Sequence, residues 1–351
     1  MVVRMEEDFG EETTHTFSVG IMLAIAYSCS IGGIATLVGT PPNLSLQRIF
    51  LITFPDAPPI GFGLWFVMAL PITMILLVIA WLLITRVFYP VPDRVTVDGS
   101  VVEDEAEKLG SPRYEERVVL AVFVSTALLW LFRVPLEIGS ITVPGWSELL
   151  PYGELLDDAT IAICMASVLF LVPTRSPGAE SATIMGPDVI GRLPWNIVLL
   201  FGGGFALAQG FQVTGLAEFI GEQFTGLAGV PTLVIILSTC LGLTFLTELT
   251  SNTATTEMVL PVLASIAVAT GIHPLLLMVP ATLSASCAFM MPVATLPNAV
   301  VFGSQRVTIP EMARVGLALN IIGALVITLV FYFLGTILFD IEPGVLPDWA
   351  V

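Results

Sequence analysis

Charge is scarce in this sequence, and positive charge scarcer still. Only 12% of the 351 residues are charged; eleven Arg and one Lys face 29 acidic residues, for a net charge of −17. A chain so poor in basic side chains cannot neutralise a phosphate backbone and has no polybasic patch for an anionic membrane surface, which excludes nucleic acid as a partner. Such an acidic, Lys-poor surface suits a high-salt organism. Histidine occurs twice, at His15 and His273, no HExxH is present, and Asp is absent from the apolar runs. Metal-assisted and acid–base hydrolysis therefore lack their usual residues. The four cysteines, Cys29, Cys164, Cys240 and Cys287, stand in apolar runs without CxxC spacing. They read as small buried hydrophobes and point to neither disulfides nor a metal framework. The N-terminus, MVVRMEEDFGEETTH, lacks the basic-then-apolar form of a signal peptide.

What is abundant is apolar sequence. With 56% hydrophobic residues and a mean hydropathy of +0.93, the chain is not an ordinary soluble domain. Thr16–Gln47 is 32 residues without a charge, and Ala57–Thr85 is 29; either exceeds the roughly 20 residues needed to span hydrocarbon. Further spans are expected at Val118–Pro135, where Arg133 would snorkel to the interface, at Ala159–Thr174, Leu193–Ala217 and Val315–Phe339. Gly202-Gly203-Gly204 reads as a close helix-packing site, since nothing else of a nucleotide loop accompanies it. The organisation expected is 1–88 with one broken helix and one span, an acidic loop 89–116, spans over 117–222, a re-entrant hairpin 223–272, a second broken helix and last span 273–340, and a tail 341–351.

The broken helices are inferred from two interruptions. GGIATLVGTPPN (Gly32–Asn43) places glycines and two prolines inside an apolar run, so the helix is expected to stop near Val38. MPVATLPN (Met291–Asn298) interrupts His273–Gln305 in the same way. Broken backbone at membrane depth is tolerated only where protein covers it or a cavity is lined by it. Val38–Asn43 and Val293–Asn298 are identical at four of six positions. Orientation follows from charge: placing Arg86–Arg117 inside puts Arg4, Arg86, Arg94, Lys108, Arg113, Arg117, Arg175, Arg192, Arg306 and Arg314 there, and only Arg48 and Arg133 outside. The N-terminus is then cytoplasmic, the C-terminus extracellular, and the two breaks run in opposite directions, the pointer to an inverted-repeat secondary transporter.

Between the breaks lies TELTSNTATT (Thr247–Thr256), a polar island after 25 uncharged residues (Gln223–Thr247). Ser and Thr can simply bond back to the preceding turn of a helix. Five Thr, a Ser and an Asn in ten residues fit a ligand site better. Glu248 and Glu257 flank the tip, as cation or proton ligands or in a structural or solvated role. No Arg or Lys lies near the three motifs, so an anion there would be neutralised by helix N-termini and by cations bound to hydroxyl, amide and carbonyl oxygens.

Ser251–Thr253, Gly39–Asn43, its second copy at Ala294–Asn298, and Leu193–Ala217 together resemble the divalent-anion/sodium symporter family, the di- and tricarboxylate transporters of the ion-transporter superfamily. The resemblance implies an all-α polytopic membrane protein, with re-entrant hairpins tipped by SNT facing broken helices, working as a homodimer by an elevator motion. It implies a divalent-anion substrate such as succinate, sodium as coupling ion, no cofactor, and residence in the cell membrane. Carried over residue by residue, Thr247, Thr250, Asn252 and Ala294 would surround one sodium, and Gly39 would belong to a second. Ser251, Asn252, Thr253, Thr40, Pro41 and Thr295 would face substrate carboxylates, while Asn43, Pro297 and Asn298 shape the breaks. Two departures stand out: TLPN replaces a TPPN-like form, and the first hairpin with its preceding spans is absent, so the chain is expected to lack an N-terminal quarter to third. Sulfate or phosphate symport, anion exchange, proton coupling, a channel, a membrane-embedded hydrolase and an inactive fragment remain alternatives.

Overall fold

A computed structural model describes residues 11–90, 107–138, 141–176 and 181–350. Most of the acidic loop expected at 89–116 lies outside the described residues, as do Arg4 and Arg94 of the orientation count. In chain order the described helices are α1 (Glu11–Ile34), α2 (Pro41–Thr53), α3 (Phe62–Leu82, prolonged by a wider π-type turn to Phe88), α4 (Tyr114–Leu131), α5 (Asp158–Leu171), α6 (Val189–Arg192), α7 (Trp195–Val213), α8 (Leu216–Glu222), α9 (Thr232–Thr247), α10 (Asn252–Thr270), α11 (Pro274–Ala285), α12 (Leu296–Gly303), α13 (Ile309–Val330) and α14 (Thr336–Leu338). Among the described residues five stretches are long and apolar enough to cross a membrane: Thr14–Ile34, Phe62–Phe88, Trp195–Val213, Asn252–Thr270 and Ile309–Leu338. The chain is a multi-pass membrane protein.

The residues fall into two compact units. The first holds α4, α5 and α6. The fold is helical as expected, with one small addition: Leu136–Ile138 and Ile141–Val143 pair as two short antiparallel strands, with Leu136 opposite Val143. α4 packs on α5. Arg133 ties the end of α4 to the start of α5: its Nε donates to Asp158 Oδ1 at 2.7 Å and its Nη1 to the Leu156 carbonyl at 2.8 Å. Asp157 caps α5 by accepting the Thr160 amide at 2.7 Å, satisfying one of the four free donors at the helix start.

The second unit holds α1, α2, most of α3 and of α7, and α8–α14. Its centre is α11, in which every residue from Pro274 to Ala285 is buried. Around it pack α2, α9, α10 and α13. Lipid tails are as apolar as leucine, so close packing rather than water exclusion holds such a bundle. Gly316 illustrates this: a Cβ there would overlap the Phe289 carbonyl and lie 2.6 Å from the Met290 amide nitrogen. Only a glycine lets α13 come so near the break after α11.

Both interruptions are breaks, each with its own physical cause. α1 ends at Ile34 rather than near Val38, because Gly32–Gly39 folds back on itself through the Ala35 amide to Gly32 carbonyl and Gly39 amide to Thr36 carbonyl bonds, at 3.2 and 3.1 Å. A Cβ on Gly33 would sit 2.7 Å from the Thr40 methyl and 2.9 Å from the Gly39 carbonyl. Pro41 and Pro42 then open α2 instead of closing α1, occupying first-turn positions where the missing amide hydrogen costs nothing. The arms are unequal: α1 has 24 residues and α11 has 12, about 36 and 18 Å of helix. They are nonetheless packed crosswise, α12 on α1 and α2 on α11.

Candidate functional site

The two breaks share their local geometry at an offset of 255 residues. Thr40 caps α2 with φ −136° and ψ 144°; Thr295 caps α12 with φ −138° and ψ 153°. The Gly39 amide donates to the Thr36 carbonyl at 3.1 Å and the Ala294 amide to the Met291 carbonyl at 3.2 Å. Asn43 Nδ2 donates to the Thr36 carbonyl at 2.8 Å, and Asn298 Nδ2 to the Met291 carbonyl at 3.1 Å. Asn298 Nδ2 also reaches the Ala288 carbonyl at 3.2 Å. Because carbonyls can only accept, they fix each amide with its nitrogen toward the break. Asn43 Oδ1 and Asn298 Oδ1 are left buried without a protein partner, and so is Asn252 Oδ1. Pro297 stands in the first turn of α12. Gly39 and Pro41 are exposed, Ala294 buried, and Thr40 and Thr295 half-buried.

The polar island forms the turn between α9 and α10. Ser251 caps α10, accepting the Ala254 amide at 3.4 Å. Three threonines do bond back to the preceding turn: Thr247 to the Leu243 carbonyl, Thr250 to that of Leu246 and Thr256 to that of Asn252, at 2.9, 2.8 and 2.7 Å. Thr250 Oγ1 also lies 2.6 Å from Thr255 Oγ1. A hydroxyl that donates its hydrogen keeps lone pairs, so these bonds orient the oxygens without exhausting them. Thr253 is buried, Asn252 half-buried and Ser251 exposed.

Glu248 and Glu257, together with Ser45, Ser286 and Asn320, which the sequence did not mark, tie the three motifs together. Ser286 Oγ donates to Thr40 Oγ1 at 3.1 Å, joining one break to the other. Glu248, 3% exposed, accepts the Met290 amide and Asn320 Nδ2 on Oε1, at 2.9 and 2.6 Å, and the Met291 amide on Oε2 at 2.9 Å. The tip is thereby bound to the second break and to α13. Ser45 Oγ on α2 donates to Glu257 Oε1 on α10 at 3.0 Å, linking the first break to the helix behind the tip. The sequence signal for the two glutamates was their position in apolar surroundings; it gave no hint of their partners.

The arrangement suits an anion accompanied by hard cations. Each motif opens a helix: α2, α10 and α12 begin at Thr40, Ser251 and Thr295, and a helix N-terminus carries roughly half a positive charge. Among the described residues no three His, Cys, Asp or Glu side chains stand close enough to hold a metal ion. The donors on offer are hydroxyl, amide and carbonyl oxygens, which are hard-cation ligands. Separately, a cavity of about 560 Å³ opens between α9, α10 and the turn at Thr225–Gly229, lined by Leu227, Val234, Leu246 and Leu263. It is apolar and includes none of the residues expected to bind substrate or sodium.

Comparison with known proteins places the chain among transporters. Residues 1–341 match the family described as the sodium:sulfate symporter transmembrane region. The sodium-dependent dicarboxylate transporter SdcS of Staphylococcus saprophyticus is 39% identical over 329 residues, which is 93% of this chain and 61% of that protein. SdcS of Staphylococcus aureus strain MRSA252 is 37% identical over 347 residues, 97% of this chain and 64% of that protein. The chain thus spans less than two thirds of the length of these curated relatives.

Proposed function

The chain belongs to the sodium:sulfate symporter family, a family of transporters and not of enzymes, and on that premise we propose that it serves sodium-coupled transport of a dicarboxylate such as succinate. The carrying observation is that three helices begin at motifs tied to one another by hydrogen bonds, with the Asn252 amide oxygen at the tip buried without a protein partner. A buried amide oxygen without a donor is costly, and a cation supplies what it lacks. Sodium is a substrate of the cycle here, not a resident cofactor. Thr247, Thr250, Asn252 and Ala294 are its residues at the tip and second break, with Gly39 in a second site; Ser251, Asn252, Thr253, Thr40, Pro41 and Thr295 face the carboxylates. Asn43, Pro297 and Asn298 shape the breaks.

The coupling follows from the charges. The motifs hold no Arg or Lys, so helix ends alone meet a dianion, and it binds well only once cations have added positive charge. Such coupling is a reciprocal free energy between two sites. Alternating access by an elevator motion, a homodimer and a re-entrant α9–α10 hairpin belong to the same reading. Its topology is supported at both ends of the second unit. At one end His15, Glu311, Arg314 and Phe88 gather, with His15 Nε2 3.7 Å from Glu311 Oε1 and Arg314 5.6 Å over the Phe88 ring. At the other, Trp349 packs edge-on against Phe50, Phe54 and His273 at 5.2–5.3 Å. The charge count assigns the first group to the cytoplasm and the second to the exterior.

A tetrahedral oxyanion is the second reading, favoured by the sulfate in the family description; competition of sulfate against labelled succinate separates the two. The test of the site is Asn252→Ala, which removes a predicted ligand of both ions while leaving the apolar spans intact. Sodium-driven uptake is expected to disappear with membrane insertion unchanged; uptake at the wild-type level would refute the assignment.

A further inference from the structure

Glu257 is unlike every other acid among the described residues. It sits on α10, is 2% exposed, and has one hydrogen-bond partner, Ser45 Oγ at 3.0 Å from Oε1. Its other oxygen rests on α7, where a Cβ on Gly204 would overlap the carboxylate. The glycine of the GGG run that packs tightly is therefore the one that makes room for this carboxyl; Gly202 and Gly203 face open space. Among the described residues no positive side chain answers it: ion pairs join His15 to Glu311, Arg133 to Asp158 and Arg192 to Asp188, none involving Glu257. The elements packed on α10 offer little else: α2 carries Arg48, which is exposed; α8 carries Glu218 and Glu222, both exposed; α11 and the turn at Thr225–Gly229 carry no charge. α7 has none either. Past the end of α9, Glu248 is engaged by three N–H donors, and before α11 His273 is turned to Trp349.

An ionised carboxylate taken from water with one hydroxyl in exchange loses far more than it regains. Buried acids in membrane segments escape this by neutralisation, and they mark ion pathways. We propose that Glu257 is the seat of a monovalent cation, a proton on the carboxyl or a sodium ion shared with Ser45 Oγ, in addition to the sodium sites of the tip and breaks. Ser45 stands two residues beyond Asn43 of the first break, and Glu257 five beyond Asn252 of the tip. Occupation of this seat therefore sets the α2–α10 contact directly behind the transport site. Its coupling to transport rests on the function proposed above; the binding of the cation does not.

The test is infrared difference spectroscopy on the purified protein in lipid bilayers, with bound radioactive sodium counted in parallel, for wild type, E257Q and S45A. In sodium-free potassium buffer at neutral pH a proton gives wild type a protonated-carboxyl C=O band that is lost in E257Q and shifted in S45A, where the hydrogen bond is gone. A sodium ion instead gives a carboxylate band in wild type that responds to sodium, with one fewer sodium retained per chain in E257Q. S45A keeps the carboxyl in place and assigns the band if E257Q inserts poorly. Absence of a protonated band, together with equal sodium retention in wild type and variants, overturns the proposal. Sodium-driven uptake by wild type is measured separately, so failure of transport leaves the spectroscopic result standing.

Discussion

Replacing Glu248 with Gln removes the charge that binds the tip to the second break. Oε1 takes the Met290 amide and Asn320 Nδ2, and Oε2 the Met291 amide, at 2.6–2.9 Å. Gln keeps one acceptor, so the first two bonds survive without their charge assistance, which is worth about 1 kcal/mol apiece. Its NH₂ group meets the Met291 N–H donor to donor, leaving that amide unsatisfied at a further cost of about 1–3 kcal/mol. Relief of the buried charge works in the opposite direction. The net expectation for E248Q is a loss of about 2–4 kcal/mol, and for E248A, which strands all three donors, about 5 kcal/mol. The assay is equilibrium unfolding in detergent micelles, combined with amide exchange at Met290 and Met291, whose protection should fall in E248Q while that of α4 and α5 is unchanged. Stability within about 0.5 kcal/mol of wild type, with both amides still protected, would show that the carboxylate does not hold the break.

Asp157→Ala removes the cap of α5 and should cost about 1 kcal/mol locally, read as faster exchange in the first turn of that helix. The Asp157 carboxyl is held below its ordinary range by the Thr160 hydroxyl first and the Thr160 amide next. Its contribution is therefore present above the unfolded-state value and lost as the pH falls through the folded one, below about pH 4; the Ala variant should lack that acid step. Gly316→Ala pushes α13 away from Phe289 and Met290 and should lower stability by about 1–3 kcal/mol through overpacking, measured as in the Glu248 series.

Much of this was legible in the sequence because apolar run length and proline position act locally. Four of the six expected spans, both interruptions and the 255-residue repeat follow from patterns that any fold must respect, and the capping angles of Thr40 and Thr295 reproduce the repeat in three dimensions; Val118–Pro135 and Ala159–Thr174 instead became α4 and α5, which are not among the described stretches long and apolar enough to cross a membrane. The point where α1 stops was not legible: it depends on Gly33 and Gly39 meeting face to face, a contact that helix-breaking by proline alone does not anticipate. Nor were the links between motifs. Ser286 to Thr40 and Ser45 to Glu257 join residues 246 and 212 positions apart, and single serines in apolar runs carry no mark of their partners. The partners of Arg133 were hidden for a related reason, since Asp158 and the Leu156 carbonyl come within reach only once α4 and α5 are packed. In the polar island Thr247, Thr250 and Thr256 bond back to their own helix, while Asn252 Oδ1 is left buried without a protein partner.

If cations make the anion site, equilibrium binding of labelled succinate to the purified protein in sodium and in potassium reveals it without requiring a transport cycle. Succinate is expected to bind in sodium and to lose at least tenfold in affinity in potassium, a coupling of about 1.4 kcal/mol or more, with succinate tightening sodium by the same factor. Equal succinate affinity in the two salts would contradict the account.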